Sequence, residues 1–444
     1  MMQTTGTLPV VVIGAGPQGL AAAAHLTERG VPVIVLEAGA AAATAVREWG
    51  HVRLFSEWSE LVDAAAARLL EPTGWTAPTR GFPTGAQWIS GYLAPLADAL
   101  GEGIRYGARV VGVSRRGRDR LVDAGRAEQP FTVHVEHANG EEERLDARAV
   151  IDATGTWASP NPAGADGLPA LGERAVSELL DYRIPDYRHR TRYEGTHNVV
   201  VGSGHSAVTA VIALGRIARR DSSTRVTWVL RRGAVGNTFG GGAADELPAR
   251  GRLGITAREF VDAGLIELFT GFRVERIDRD GERVVFTSED GRRLAPADHV
   301  AVLTGFRPDL SFLSELRLEL DPTLQAPVRI AAEIDPNIHS CGSVAATGVR
   351  DLAQPEPDFY LVGAKSYGRA PTFLAMTGYE QVRSVVAELA GDHEAAARKE
   401  LALPDTGVCG GAGLFDSTGT AIGGSCCALP EKPVIQIGRA PANA

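Results

Sequence analysis

The chain has 444 residues, enough for two or three domains that each bury their own core. Its net charge of −9 argues against a nucleic-acid surface as its main business. No run approaches the ~20 apolar residues of a membrane span, and four cysteines in a chain this size are no disulfide framework, so a protein without a membrane span, in the cytoplasm, is expected. The N-terminus runs almost at once into a strand and a glycine turn, which leaves no signal peptide to expect. The only lysines are Lys365, Lys399 and Lys432; this arginine preference reads as genome-composition bias.

The apolar run at residues 10–13 predicts a short buried strand. Directly after it stands Gly14-Ala15-Gly16-Pro17-Gln18-Gly19. An alanine-rich helix is expected over residues 20–29, stopped by Gly30, and a second strand over residues 33–36 ends at Glu37. In this pattern Gly14 permits a tight turn, Gly16 lets the backbone approach a pyrophosphate, and Gly19 lets the helix pack on the strand. The helix N-terminus offers free N–H groups to phosphate. The Glu37 carboxylate can accept from ribose hydroxyls and would repel a 2′-phosphate, so this unit suits FAD or NAD rather than NADP. Residues 40–100 read as a mixed region with Trp49, Trp58 and Trp75. Residues 104–150 read as β-structure, followed by Ile151-Asp152-Ala153-Thr154-Gly155. The Pro- and Gly-rich stretch 158–172 is a connector.

A second unit repeats the first. A strand at residues 199–201 precedes Gly202-Ser203-Gly204-His205-Ser206-Ala207, a helix is expected over 207–219, and a strand over 226–230 ends in Arg231-Arg232. Two guanidinium groups can grip a 2′-phosphate, so this unit reads as the NADPH site. Residues 233–254 read as a glycine-rich loop. Strands are expected at 284–287 and 299–303, the latter leading into Thr304-Gly305, the counterpart of Thr154-Gly155. Small residues there let the crossing chain lie against a bound cofactor. After about residue 330 the chain should rejoin the first unit, with a strand at 359–362 and a helix at 372–390.

Lys365 and Tyr367 follow that last strand. A lysine there could stabilise negative charge on reduced flavin; the alternative is a surface lysine after a strand. By resemblance to related flavoproteins, the helix starting near Pro371-Thr372 could point its N-terminus at the flavin. His51, beside Trp49, Arg53 and Leu54, is a candidate acid–base group that lines the flavin or substrate site. His205 inside its glycine loop reads as a pyrophosphate neighbour rather than a proton donor. Cys341 follows His339 and reads as a small hydrophobe. Cys409, Cys426 and Cys427 lie in the tail; three thiolates could bind a soft centre, and incidental cysteines are the other reading.

These features together resemble the two-dinucleotide flavoproteins, and within them the class B flavin-containing monooxygenases. The runs from Arg47 to Ser56, Val201 to Ala207, Gly363 to Phe373 and Thr377 to Arg383 are similar to a bacterial subgroup often associated with arsenic-resistance gene clusters. The resemblance implies an α/β protein of two Rossmann-like, glutathione-reductase-type domains. The FAD domain would take residues 1–160 and 326–402, the inserted NADPH domain residues 161–325, and a flexible tail residues 403–444. It also implies that NADPH reduces FAD, that reduced FAD captures O2 as a C4a-(hydro)peroxide, and that one oxygen passes to a small soft nucleophile: sulfur, nitrogen or trivalent arsenic. A homo-oligomer is compatible with the sequence. Two departures bear on the oxygen-transfer step. The family's linker histidine is missing from Ala170-Leu171-Gly172-Glu173-Arg174-Ala175-Val176-Ser177. No asparagine precedes Asn139, and Ser59, Glu60 and Leu61 stand where relatives place one beside the flavin. An oxidase, a dehydrogenase, a disulfide oxidoreductase using the tail cysteines, and a non-catalytic metalloid- or nucleotide-binding flavoprotein are the alternatives.

Overall fold

In the computed structural model, which describes residues 8–401 apart from 234, 240–247, 337–345 and 372, the chain builds two parallel sheets in succession. The first leg contains β1 (Val10–Ile13), α1 (Pro17–Glu28), β2 (Val33–Glu37), α2 (Ala64–Leu70) and α3 (Ala94–Leu100). It continues through β3 (Ile104–Tyr106), β4 (Ala108–Arg115), β5 (Phe131–His137), β6 (Glu142–Ala147) and β7 (Ala149–Asp152). The next stretch holds β8 (Leu180–Asp181), β9 (His197–Val201), α4 (His205–Ala218), β10 (Arg225–Val229) and α5 (Pro248–Asp262). It ends with β11 (Glu267–Phe269), β12 (Val274–Asp280), β13 (Arg283–Ser288) and β14 (His299–Val302). The chain then returns to the first sheet with β15 (Phe359–Leu361) and α6 (Ala375–Leu389).

The two sheets have the same plan. Their strand orders are β15-β7-β1-β2-β3 and β8-β14-β9-β10-β11, with all neighbours parallel. All four side chains of β1 are buried, because the strand is covered on both faces. Val10 and Val12 face a helical layer with Leu20, Leu96 and Val382. Val11 and Ile13 face the antiparallel meander β4–β6 through Val113, Phe131 and Val133. The second sheet repeats this: Val200 packs with Val211 and Leu214 of α4, while Val199 and Val201 pack with Ile277 and Phe286 of the β12–β13 hairpin. Each fully buried Val, Leu or Phe contributes about 1.5–3 kcal/mol, so these twin cores fix the positions of the loops at the strand ends.

Several expected elements differ in their bounds. The helix expected from Thr372 begins at Ala375, and Thr372 itself lies outside the described residues. The expected glycine-rich loop over 233–254 contains the first turns of α5. Gly254 is needed there for contact: a Cβ would lie 1.6 Å from the carbonyl oxygen of Phe239. Cys341, His339 and the whole tail, with Cys409, Cys426 and Cys427, lie outside the described residues. Among the described residues no helix is long and apolar enough to cross a membrane, and no cluster of His, Cys, Asp and Glu could hold a metal ion.

A buried histidine makes the second sheet sensitive to acid. His197 opens β9, with Nδ1 3.0 Å from the Pro296 carbonyl oxygen and Nε2 2.9 Å from Thr227 Oγ1. Burial pushes its pKa down, against the pull of the Pro296 carbonyl. The folded state therefore holds fewer protons than the unfolded chain. The stabilisation from the neutral ring is complete above the unfolded pKa of about 6.5 and is lost as the pH falls below it. Urea unfolding should show the gap in stability between wild type and His197→Gln narrowing as the pH drops from about 8 to about 5. A gap that stays constant would mean the ring titrates alike in both states.

Candidate nucleotide-binding sites

In both loops the glycines take up distinct tasks. Gly14 has φ +97°, and a Cβ there would lie 3.1 Å from the Ala153 carbonyl oxygen. Gly202 has φ +130°, and its Cβ would lie 2.2 Å from the Leu303 carbonyl oxygen. The crossing chains after β7 and β14 thus press on the first glycine of each loop. A Cβ at Gly19 would stand 1.8 Å from the Gly14 carbonyl oxygen, so helix and turn touch there. Ala207, fully buried, takes that place in the second loop. Gly16 and Gly204 behave oppositely: a Cβ at either meets no atom within 4 Å. Each also serves as the N-cap of its helix, in extended conformation and without a side-chain cap. Pro17, first in α1, has no N–H to leave unsatisfied. Open space beside uncapped helical N–H groups is what a pyrophosphate requires, so both loops fit the dinucleotides expected of them.

The strand ends give the two loops different chemistry. Glu37 Oε2 accepts from Ala15 N at 2.7 Å and Oε1 from Gly39 N at 2.7 Å, so the carboxylate is held at the mouth of the first loop. At the end of β10, Arg231 donates through Nη1 to the Ala165 carbonyl oxygen at 2.8 Å. Gly271 N donates to the Arg232 carbonyl oxygen at 2.5 Å, which draws the segment after β11, with Arg273, alongside the pair. Partial desolvation and then Arg273 lower the Arg231 pKa; partial desolvation and then Arg231 lower that of Arg232. Three guanidinium groups brought to one strand end would attract an anion.

The crossing chains are fixed by their own polar side chains. Asp152 Oδ1 accepts from Thr154 N at 3.0 Å and from Thr154 Oγ1 at 2.7 Å. Thr304 Oγ1 donates to the Asn161 carbonyl oxygen at 2.8 Å, and Asn161 N donates to the Gly305 carbonyl oxygen at 2.9 Å. Trp157 stacks on Phe306 at 4.9 Å between ring centroids. The segments that lead from one sheet to the other are therefore bonded together. Gly155 and Gly305 both have positive φ, +65° and +94°, with Gly155 facing open space.

The region from Trp49 to Ser56 runs from the first sheet toward the second. Trp49 packs on Trp88, Arg53 donates to the Phe82 carbonyl oxygen, and Leu54 N donates to the Pro83 carbonyl oxygen. Phe55 lies against His205, 5.3 Å between centroids, so the two loop regions meet there. Ser206 follows His205 in the first turn of α4. His51 Nε2 is buried without a hydrogen-bond partner. Its charge would also be felt by Asp186, whose pKa Arg188 chiefly holds down to about 2.

Lys365 is not the surface lysine that the sequence left open. It is fully buried, and its Nζ lies 2.6 Å from Asp152 Oδ2. Tyr367 is buried beside Phe373, and burial pushes its phenol well above the ordinary range. It keeps its proton at neutral pH. Gln18 reaches across to the return segment: Nε2 donates to the Ala375 carbonyl oxygen at 3.0 Å, and a Cβ at Gly378 would lie 2.5 Å from its Cδ. In the linker where the resemblance implied a histidine, buried Glu173 accepts from Ala163 N, Ala170 N and Tyr182 Oη. In the stretch that lacks asparagine, the Leu61 carbonyl oxygen accepts from Trp88 Nε1 and Tyr379 Oη.

Sequence reasoning missed Asp152 and Asn161. The signal for Asp152 was a carboxylate ending an otherwise apolar buried strand, which demands a counter-charge.

Comparisons with known proteins agree with this architecture. The indole-3-pyruvate monooxygenase YUCCA1 of Oryza sativa subsp. japonica is 31% identical over 234 residues, 52% of this chain and 51% of the plant protein, so the match spans about half of that enzyme's length. Among solved structures, the bacillithiol disulfide reductase Bdr from Bacillus cereus superposes with a TM-score of 0.64 at 20% identity, covering 87% of this chain and 99% of its own. A variant of the flavin monooxygenase from Stenotrophomonas maltophilia superposes with a TM-score of 0.57 at 21% identity, again covering 87% and 99%. A family model described as pyridine nucleotide-disulphide oxidoreductase matches residues 11–330. With a glycine loop on each of its twin parallel sheets and most of its length matched, the chain belongs to the pyridine nucleotide-disulphide oxidoreductase family.

Proposed function

We propose that the protein is an NADPH-dependent monooxygenase that transfers one oxygen atom of O2 to a small soft nucleophile, with trivalent arsenic, sulfur and nitrogen as the acceptor centres. The observation that carries this reading is a pair of glycine loops in a family-matched segment whose sequence has no cysteine. No cysteine occurs before Cys341, so residues 11–330, the part matching the family, contain no dithiol to receive electrons. Oxygen is then the natural acceptor, and relatives named as monooxygenases support it.

In this reading Gly14, Gly16, Pro17, Gln18, Gly19, Glu37, Thr154 and Gly155 hold FAD. Gly202, Gly204, His205, Ser206, Ala207, Thr304 and Gly305 hold NADPH, with Arg231 and Arg232 on its 2′-phosphate. Bound FAD, once reduced by NADPH, would supply the electrons that activate O2. Uncapped helix ends bind the two pyrophosphates. Glu37 excludes a 2′-phosphate from the first loop. Trp49, Arg53 and Leu54 line the flavin side of the cleft. His51, with an unpartnered Nε2, holds or accepts a proton there. Phe55 against His205 limits water between the two loop regions.

The test is NADPH-driven oxygen consumption by the purified protein, with and without arsenite or methylarsenite, with peroxide and oxidised arsenic counted. Stimulated turnover with one pentavalent arsenic per NADPH and little peroxide is expected. Turnover that yields only peroxide for arsenic, thiol and amine acceptors alike would overturn the monooxygenase reading. Reduction of a disulfide by NADPH, lost in Cys426→Ser/Cys427→Ser, would replace it with a reductase.

A further inference from the structure

A buried ammonium and a buried carboxylate meet at the end of β7, outside every step proposed above. Asp152 is the last residue of β7, and Lys365 lies in the turn Gly363–Tyr367 after β15; neither side chain has any exposure. Lys365 Nζ donates to Asp152 Oδ2 at 2.6 Å and to Thr154 Oγ1 at 3.0 Å. Thr154 closes the triangle by donating to Asp152 Oδ1 through both N and Oγ1. The ammonium also stands 4.3 Å over the ring of Phe312 and, more weakly, helps hold down the Asp309 carboxyl, which Ser311 chiefly lowers by hydrogen bonding. Asp152 is thus neutralised, and both of its oxygens accept.

Three segments converge at this triangle. The first glycine loop touches the crossing chain at Gly14, where a Cβ would meet Ala153 O and Thr154 Cα. The return segment touches the same loop at Gly363, where a Cβ would lie 2.8 Å from Gln18 Cγ. Thr154 leads directly into Gly155, whose missing side chain faces open space. A lysine from the return segment therefore fixes, through Asp152, the backbone that walls the first nucleotide site.

We infer that Lys365 and Asp152 are a positioning pair for FAD: together they hold residues 153–155 in place, and the lysine charge balances Asp152 rather than the flavin. This rests on the reading that the first loop holds FAD. Removing only the lysine leaves a buried carboxylate without a counter-charge. It regains neutrality by taking up a proton, so the site becomes pH-dependent. Removing both charges restores a neutral triangle in which Thr154 N keeps an acceptor.

The experiment is titration of apoprotein with FAD between about pH 6 and pH 9, with the reduction potential of the bound flavin measured alongside. Wild-type affinity should be flat with pH. Lys365→Met should bind at least roughly tenfold more weakly at the alkaline end and recover as the pH falls. The double variant Lys365→Met/Asp152→Asn should be flat, within about threefold of wild type, and unchanged in potential. A double variant as weak as the single one, or a potential lowered equally in both, would overturn the pair and place the ammonium on the flavin. If Lys365→Met does not fold, Thr154→Val decides: it keeps the ion pair but loses both hydrogen bonds of Thr154 Oγ1, to Asp152 and from Lys365, so weaker, pH-independent binding is expected, and unchanged affinity overturns the inference. Wild-type apoprotein that takes up no FAD would instead remove the reading of the first loop, and this inference with it.

Discussion

Gly16→Val is expected to give a folded protein without flavin, whereas Gly19→Ala is expected not to fold properly. The two glycines are three residues apart in one loop, and the structure assigns them opposite reasons for being glycine. Gly16 has φ −77° and ψ −176°, an extended conformation open to any residue. A Cβ there meets no protein atom within 4 Å. Valine should therefore disturb nothing in the empty fold, and its methyl groups would occupy the path of the pyrophosphate. At Gly19 a methyl would be driven to 1.8 Å from the Gly14 carbonyl oxygen, backbone against backbone. Neither side can yield without moving α1 off β1, and a shift of that kind costs well over the ~1–3 kcal/mol of ordinary overpacking. Flavin released on denaturation, with far-UV circular dichroism, separates the cases. A Gly16→Val protein that keeps stoichiometric FAD would show that the flavin is bound elsewhere. Gly204→Val is the matching experiment in the second loop: it should keep FAD and lose NADPH affinity.

The same comparison shows what could be read from the chain and what could not. Both strand–turn–helix units were legible, because an apolar run followed by glycine at the required spacing has few other solutions. Helix starts were misjudged by two or three residues: α1 begins at Pro17 and α4 at His205 rather than at the first apolar residues, since a glycine N-cap releases the chain into the helix at once. The helix α5 was hidden, because Gly251 and Gly254 look like loop residues until Phe239 is seen pressed against Gly254. Lys365 was legible as a residue of interest, but not its partner. Asp152 is 213 residues away in sequence, and only the pairing of β15 with β7 brings the two together. The contact of Phe55 with His205 was equally out of reach, since it depends on how loops from two sheets meet.

Arg231→Ala/Arg232→Ala is expected to raise the KM for NADPH by roughly 100-fold while changing that for NADH by less than about threefold. Each hydrogen bond to a charged group contributes about 1.5–3 kcal/mol, and each 1.4 kcal/mol is a factor of ten, so two lost guanidinium contacts reach that size. NADH has no 2′-phosphate and loses nothing comparable. The arginines are not equivalent controls. Arg231 also donates to the Ala165 carbonyl oxygen, which ties the end of β10 to the connector. Its removal alone could therefore loosen the second sheet. Among the described residues no such tether is seen for the Arg232 side chain, so Arg232→Ala is the cleaner variant, with about half the effect in free energy. The Arg273 guanidinium, which already pairs with Glu289, stands near Arg231 and would still supply some attraction for phosphate. The loss should accordingly shrink at high salt, where such exposed charges are screened. Equal increases in KM for NADPH and NADH would remove the 2′-phosphate from this strand end and make the two arginines a support for the fold.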